Sequence, residues 1–274
     1  MFSSSNKVQL NKITYDERQA VKAYALSHTE LNHREMSYRM IDENIAFMSS
    51  SSVYRILREY NLVNTRLTKP GGEKKKWSPH ADVDAPDQKW QTDLTYIIYQ
   101  SREYYLLSYL DVYSRFVVYH KLCLSMTGET VRQVSEEAFR ITGIRPEIVQ
   151  SDNGSCYISH EYQSLIGKLN IDHRFIHPHC PNENAEIERY HRTLKEALDV
   201  NEAENFNHLE TLIKEQIYYY NYIRYHSKIG FIPPYQKYRG NPPKIFDQRN
   251  KKLERAKAKR MKKNYEIINK AGLN

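Results

Sequence analysis

The feature that most constrains this fold is a run of β-type sequence followed by a regular alternation of helix and strand patterns. The segment "KWQTDLTYIIYQ" (89–100) predicts one strand, and "REYYLLSYLDVYSRFVVYHKL" (102–122) predicts two more that break near Asp111–Arg115. Helix and strand patterns then alternate as far as the long helical pattern "NAEIERYHRTLKEALDV" (184–200). Three meandering strands followed by this alternation predict a mixed α/β layer fold.

The N-terminal region differs, because its patterns predict three short helices. Thr14 followed by Glu17 is a capping-box signature. A short turn before the third helix is the layout of a helix-turn-helix, which we predict over residues 1–64. Four side chains off the apolar face of the third helix are expected to contact DNA: Ser51, Ser52, Arg55 and Arg58. The alternative is a small three-helix structural cap.

Basic residues concentrate on either side of the α/β region. The chain has 41 Lys and Arg against 33 Asp and Glu, a formal charge of +8, which favours a polyanionic partner such as nucleic acid. A predicted linker (65–86) contains Lys74, Lys75 and Lys76, which we expect to follow DNA, although a plain flexible tether is an equal alternative. A predicted basic tail (241–274) has nine basic residues in the fifteen of "RNKKLERAKAKRMKK", as a helix or a disordered arm.

Cysteine usage and hydropathy indicate the cellular setting. The three cysteines are widely spaced and form no CxxC pair, which fits a reducing cytosol. No run of about 18 apolar residues occurs, and the N-terminal "MFSSSNKVQLNK" lacks an apolar signal core. We therefore expect a soluble cytosolic protein with no membrane partner.

Three carboxylates form an ordered set within the α/β region. Asp93 lies inside the first strand, where an unpaired charge is costly. Asp152 ends a later strand in "VQSDNGS", a position where open α/β sheets bind ligands. Glu188 follows after thirty-five intervening residues, on the long helix. Taken singly, "SDNG" is an ordinary turn and Glu188 is an ordinary surface partner of Arg192.

These motifs, in their order, resemble those of the DDE transposases and retroviral integrases over residues ~85–240. The matching segments are "WQTDLTYI", "YLDVYSRFVV", "SDNGS", "CPNENAEIERYHRTLK" and "YNYIRYHSKIGFIPPYQKY". The resemblance implies an RNase H-like catalytic core, which we place at 87–240. It also implies that Asp93, Asp152 and Glu188 hold two Mg²⁺ ions, which Mn²⁺ can replace, with Asp93 bridging them.

The long helix places two basic residues near the glutamate. At about 100° per residue, Glu188, Arg192 and Lys195 share one face, whereas Glu186 lies about 160° away from Glu188. A face with one carboxylate followed by two cations can hold a metal ion and, further along, a DNA phosphate. The resemblance implies that Lys195 contacts the end of a mobile element, and Arg192 is a second candidate.

Four further residues are expected to support this site or the turns near it. Asn153 and Gly154 should shape the turn that carries Asp152 and let DNA approach closely. Asn184 lies four residues before the glutamate, as in the family pattern. Asp111 is interpreted as the start of a turn, bonded to Ser114 or Arg115.

Taken together, the motifs predict an insertion-sequence transposase of the bacterial cytosol that associates with the nucleoid. It would bind the terminal inverted repeats of its own element, cut them and join them to target DNA, as a multimer. The resemblance also suggests a possible partner protein from an overlapping upstream frame. Two alternatives stay open: a catalytically silent DNA-binding protein, and an RNase H-like nuclease without strand transfer.

Overall fold

The computed structural model describes residues 10–63, 83–177 and 180–270. Backbone contacts group them into two compact units, one made of residues 10–63 and 241–270, the other of the described residues within 83–240. Each unit has its own hydrophobic core. The predicted DNA contacts of Lys74, Lys75 and Lys76, with most of the predicted linker, lie outside the described residues.

Three helices open the first unit, and local sequence determines where each begins. They are α1 (Tyr15–Ser27), α2 (His33–Asp42) and α3 (Ser50–Glu59). Thr14 and Glu17 form the predicted capping box before α1, and Asn32 accepts two backbone N–H groups at the start of α2. Asn61 has a left-handed φ of 55° just after α3, as its sequence position predicts.

The connection between α2 and α3 is longer than the short turn expected from sequence. Residues 43–49 separate the two helices, whereas a helix-turn-helix uses a turn of about 3–4 residues. Ala46 and Met48 are buried in the core of this unit, so the connection itself supplies core residues. Ser37 Oγ donates to the Met48 carbonyl oxygen at 2.9 Å and fixes the connection in place. DNA binding by α3 stays a prediction.

A three-stranded meander begins the second unit. It comprises β1 (Lys89–Tyr99), β2 (Arg102–Asp111) and β3 (Val117–Cys123), each antiparallel to the strand before it. Asp111 Oδ2 accepts the N–H of Ser114 at 2.8 Å, which confirms the predicted turn between β2 and β3. Its Oδ1 accepts the N–H of Asp87 at 2.9 Å, so the same carboxylate also fixes the entry to β1.

Helices and strands then alternate as the sequence predicts. Gly143, with a left-handed φ of 67°, ends the first of these helices, because glycine has no Cβ to oppose this conformation. The elements are α4 (Gly128–Thr142), β4 (Ile148–Ser151), α5 (Ser155–Ile158), α6 (His160–Lys168), β5 (Asp172–Phe175) and α7 (Ala185–Ala197).

The five strands form one mixed sheet, in the order β3-β2-β1-β4-β5, with β4 and β5 parallel to β1. One face of the sheet packs against α4, α5 and α6 around Trp90 and Tyr109. The other face packs against α7 and the next helix along the chain, around Leu106 and Ile187. Since residues two apart on a strand share a face, odd-numbered β1 residues in this region point toward α7.

The sequence "FNHLETLIKEQIYYYNYIRYH" (206–226) predicts one helix, but the α-helix ends earlier in the structure. It is α-helical as α8 (Phe206–Tyr218), continues as a π-helical turn (Tyr219–Ile223), and is followed by α9 (Pro234–Tyr238). Within the π-helical turn, Asn221 is buried and bonds both backbone groups of Val117 on the edge strand, at 2.9 and 3.0 Å. These bonds explain the change of helix type, because the wider turn brings the Asn221 amide to the edge strand.

The basic tail is a long helix, α10 (Pro242–Lys270), that belongs to the first unit. Arg249 is buried and donates to both oxygens of Asp42, at 2.8 and 2.6 Å. Arg260, also buried, donates to Glu17 at 2.8 Å and to the Phe47 carbonyl oxygen at 3.0 Å. The tail therefore packs with α1–α3, where the sequence predicted a separate segment. In the described part of the chain, no helix is both long and apolar enough to cross a bilayer.

We expect Arg249→Ala to lower the free energy of unfolding of the first unit by about 2–3 kcal/mol, because Asp42 would lose a bidentate, largely buried partner. The control is Arg255→Ala, which removes the same charge from an exposed position of α10. Urea unfolding followed by circular dichroism measures both variants. Equal unfolding midpoints for the two variants would contradict the assignment.

Candidate active site

Parallel pairing of β1 with β4 brings two predicted carboxylates to neighbouring positions. The last paired residues are Gln91 and Gln150. Asp93 and Asp152 each lie two residues beyond them, at the carboxyl end of the pairing and on the sheet face that packs against α7. Asp93 lies in mid-strand only because β1 continues past the point where β4 stops at Ser151.

The turn after β4 holds Asp152 closely. The N–H of Gly154 donates to Asp152 Oδ1 at 3.0 Å, and a Cβ at position 154 would lie 2.9 Å from that oxygen. Asn153 Nδ2 donates to the Ile176 carbonyl oxygen at 3.0 Å and ties the turn to the end of β5. The structure thus gives both supporting residues contacts that shape the turn. Closer approach of DNA stays a prediction.

A chain of hydrogen bonds supports the strand end before Asp152. Gln163 Nε2 donates to His173 Nδ1 at 2.8 Å, and His173 Nε2 lies 3.0 Å from Ser151 Oγ. Ser151 Oγ in turn donates to the Asp152 carbonyl oxygen at 2.8 Å. Burial lowers the pKa of His173 to about 4, so its ring is neutral at pH 7 and donates through Nε2.

Gln91 ties the start of α7 to the strand that carries Asp93. Its side chain is fully buried, and its Oε1 accepts the N–H of Ile187 at 3.0 Å. Its Nε2 donates to the Glu183 carbonyl oxygen at 2.8 Å and to the Glu186 carboxylate at 3.2 Å. One side chain thus sets the position of the first turn of α7 relative to β1.

The first turn of α7 directs Glu188 toward Asp93. Both line a cavity of about 420 Å³. The other residues that line it are Thr95, His191, Arg192, Lys195 and Glu196. Lys195 Nζ lies 4.2 Å from the centre of the Tyr96 ring, a cation–π contact that positions it at the cavity. The predicted face of α7 with one carboxylate and two cations therefore opens onto the same space as Asp93.

The three carboxylates interact electrostatically. Burial raises the pKa of Asp152, and the charge of Asp93 adds to the increase. Burial likewise raises the pKa of Glu188, with further increases from Asp93 and Asp152, while Arg192 and His191 oppose them. Among the described residues, no three His, Cys, Asp or Glu side chains are grouped closely enough to hold a metal ion.

His191 is a site residue that the sequence reasoning missed. It is buried, and its Nδ1 lies 3.3 Å from Asp93 Oδ2, so it contacts the mid-strand carboxylate directly. It lies three residues after Glu188, about 60° away on the helix, and this spacing could have identified it. Gln91 was also missed, although it lies two residues before Asp93 and so shares its strand face.

Other predicted residues lie elsewhere. Glu186 points away from the cavity, as expected, and pairs with Arg115 at 3.2 Å. Asn184 is buried at the start of α7, and its Oδ1 has no hydrogen-bond partner among the described residues. The predicted DNA contacts of α3 lie in the first unit, where Ser51, Arg55 and Arg58 are exposed and Ser52 is half-buried. Their roles stay predictions.

Profiles of known protein families match the second unit of the chain. Two family profiles, both described as "Integrase core domain", match residues 83–181 and 169–234, which together are more than half of the chain. The transposase for insertion sequence element IS904 of Lactococcus lactis is 31% identical over 167 residues, covering 56% of this chain and 63% of that protein. An uncharacterized 39.2 kDa protein of insertion element IS476, from Xanthomonas euvesicatoria, is 25% identical over 213 residues, covering 74% and 60%. The chain spans about three fifths of the length of these relatives.

A solved structure matches the fold. The intasome of simian T-cell lymphotropic virus, determined by cryo-electron microscopy in complex with a PP2A regulatory subunit, gives a TM-score of 0.51 at 20% identity. The match covers 79% of this chain and 73% of that chain. The mixed five-stranded sheet with helices on both faces confirms the predicted RNase H-like α/β class.

We expect Gln91→Met to lower the free energy of unfolding by about 2–3 kcal/mol, because the Ile187 N–H and the Glu183 carbonyl would lose a buried partner. The matched control is Gln150→Met: Gln150 is the register partner of Gln91 and is also buried, but its Oε1 has no hydrogen-bond partner among the described residues. Urea unfolding and amide hydrogen exchange across α7 measure the effect. Faster exchange at Ile187 only in Gln91→Met is expected, and equal exchange in both variants would refute the role of Gln91.

Proposed function

We propose, from the premise that this chain belongs to the integrase core domain family, that it is an insertion-sequence DNA transposase. It binds the ends of its own mobile element, cuts them and joins them to target DNA. The observation that carries this proposal is that Asp93 and Asp152 each lie two residues beyond the last pair of the parallel strands β1 and β4, while Glu188 lines one cavity with Asp93. The insertion-sequence relative from Lactococcus lactis supports the same activity.

The three carboxylates carry the donor atoms of a magnesium site, although among the described residues they are not grouped closely enough to hold an ion. Asp93, Asp152 and Glu188 offer only hard oxygen ligands, which Mg²⁺ prefers. Burial and the charge of Asp93 raise the pKa of both Asp152 and Glu188, and a bound cation would oppose that repulsion. We assign the three residues to two Mg²⁺ ions, with Mn²⁺ as a substitute. When bound, such ions would activate the attacking oxygen and stabilise the leaving oxygen of a phosphodiester.

The side chains around the carboxylates bind and orient the DNA. Lys195 and Arg192 hold phosphates at the open side of the cavity, since both line it and both are cationic. His191 orients the Asp93 carboxylate, and Gln91 keeps α7 in register with β1. No protein nucleophile is required, because water attacks first and the freed 3′-hydroxyl attacks during strand transfer.

The partners follow from this activity. The terminal inverted repeats would bind α3 through Ser51, Ser52, Arg55 and Arg58, while the core binds the cleaved end and the target DNA. Pairing two ends requires at least two copies, so we propose a homo-multimer on DNA, with a possible partner from an upstream reading frame. We place this assembly in the bacterial cytoplasm.

The test uses the inverted repeats that flank the gene, as DNA substrates for the purified protein with Mg²⁺ or Mn²⁺. We expect metal-dependent 3′-end nicking and strand joining, and we expect Glu188→Gln to reduce both by at least about a hundredfold, since a metal ligand is lost. Glu136→Gln, which removes the same charge from an exposed position of α4, should leave both rates unchanged.

The other outcomes separate the alternatives. Nicking without joining would favour a nuclease that lacks strand transfer. Binding of the ends without any cutting, also in the presence of an upstream-frame partner, would favour a DNA-binding protein without catalysis. Full activity of Glu188→Gln would remove Glu188 from the site.

A further inference from the structure

A second polar cavity lies on the opposite side of α7 from Glu188. It has a volume of about 430 Å³ and shares no lining residue with the carboxylate cavity. Its walls are the turn after β2, the N-terminal part of α7, and the π-helical turn with the segment that follows it. We call it the basic pocket, after the four cations that line it: Arg115, Arg189, Arg224 and Lys228.

The basic pocket carries more positive charge than the protein neutralises. Its one carboxylate, Glu186, lies 3.2 Å from Arg115. Within the described part of the chain, Arg189, Arg224 and Lys228 form no ion pair with a carboxylate. Three cations around one cavity repel one another, which is unfavourable unless an anion from outside binds among them.

The basic pocket also contains one buried hydrogen-bond donor that the described residues leave without an acceptor, and a second donor on a neutral imidazole. Arg115 Nη1 is buried, and its contact with Glu186 does not have hydrogen-bond geometry, so it has no hydrogen-bond partner among the described residues. His226 Nδ1 accepts the N–H of Lys228 at 3.3 Å, which leaves Nε2 as the protonated nitrogen. Burial and the surrounding cations lower the pKa of His226 to about 3, so the imidazole is a neutral donor.

We propose that the basic pocket binds a backbone phosphate of DNA, at a point separate from the strand held at the carboxylates. This proposal rests on the proposed function, because it takes the anion to be part of the DNA substrate. A guanidinium group can donate two parallel hydrogen bonds to the oxygens of one phosphate. Three arginines line this one cavity. Ser227 and Lys228 are exposed at its rim, so a long polymer can enter where a buried anion site would exclude it.

The position of the basic pocket gives the contact a role. Arg189 follows Glu188 directly in α7, about 100° around the helix. A phosphate bound beside Arg189 and Arg224 would hold the DNA on the far side of the helix that carries the third carboxylate. The contact would therefore orient the substrate relative to Glu188 without touching the reacting phosphodiester.

The experiment measures DNA affinity of the full chain against salt concentration, without metal, on one duplex of fixed length. The test variant is Arg189→Gln with Arg224→Gln. Its charge-matched control is Arg140→Gln with Lys168→Gln, two exposed positions outside both cavities. We expect the test variant to bind about tenfold more weakly and to reduce the slope of log K against log salt by about 0.9, the value for one phosphate contact. The control should retain the wild-type slope.

A second variant keeps the proposal testable if the double substitution does not fold. Ser227→Glu adds a negative charge at the exposed rim and removes no core contact. It should weaken DNA binding in the same direction.

Three outcomes would overturn the proposal: an unchanged slope in the test variant, an equal loss in the charge-matched control, and unchanged affinity for Ser227→Glu. The same experiment separates failure of this site from failure of the proposed function. If wild type binds no DNA, the proposed function fails together with this site. If wild type binds DNA and nicks the element ends, while the test variant keeps the wild-type slope, only the basic pocket is refuted. Tighter binding of polyglutamate by wild type than by the test variant, with an unchanged DNA slope, would assign the pocket to a protein carboxylate instead.

Discussion

Parallel pairing of β1 with β4 places the acidic groups of the core side by side, since the register of Gln91 with Gln150 determines where Asp93 and Asp152 lie. The two strands are separated in the sequence by β2, β3 and α4. The same strand also carries the amide that positions α7. The positions of Asp93 and Asp152 therefore depend on one strand pairing. The position of Glu188 depends on the buried side chain of Gln91, which belongs to that pairing.

The helix α7 separates two regions of opposite chemistry. One side presents Glu188, whose pKa is raised by burial and by the charges of Asp93 and Asp152, with Arg192 and Lys195 further along. The other side presents Arg189 beside a turn and a loop that are also basic. Between them, Ile187 and Tyr190 are buried in the core and hold the helix against the sheet. A helix can present both chemistries within one turn because neighbouring residues differ by about 100° in direction.

The sequence predicted those features that depend on local chemistry or on ordered motifs. The capping box of Thr14 and the Asp111 turn both involve residues within a few positions of one another. Amphipathic and alternating patterns also predicted the strands and most helices, because burial on one face leaves a period in the sequence. The three carboxylates were predicted from their order, and in the structure Asp93 and Glu188 line the same cavity.

Features that depend on distant partners were not predicted. The role of Gln91 requires knowledge that α7 begins opposite β1, ninety-six residues away from it at Ile187. The early end of α8 depends on the edge of β3, and the packing of α10 depends on carboxylates in α1 and α2. In each case the deciding contact is a polar side chain whose partner has no periodic signal in the sequence.

The hydrogen bond from the Ile187 N–H to Gln91 Oε1 fixes one point of α7 against β1. Insertions and deletions next to this point should therefore be tolerated less well than most substitutions. A substitution in the first turn of α7 changes one side chain and leaves the directions of the others intact. A single inserted residue just after Ile187 would rotate every later position by about 100°, which would turn Glu188 toward the place of Arg189. A deletion of Glu188 would bring an arginine to face Asp93. Homologous chains should therefore keep this turn free of insertions and deletions.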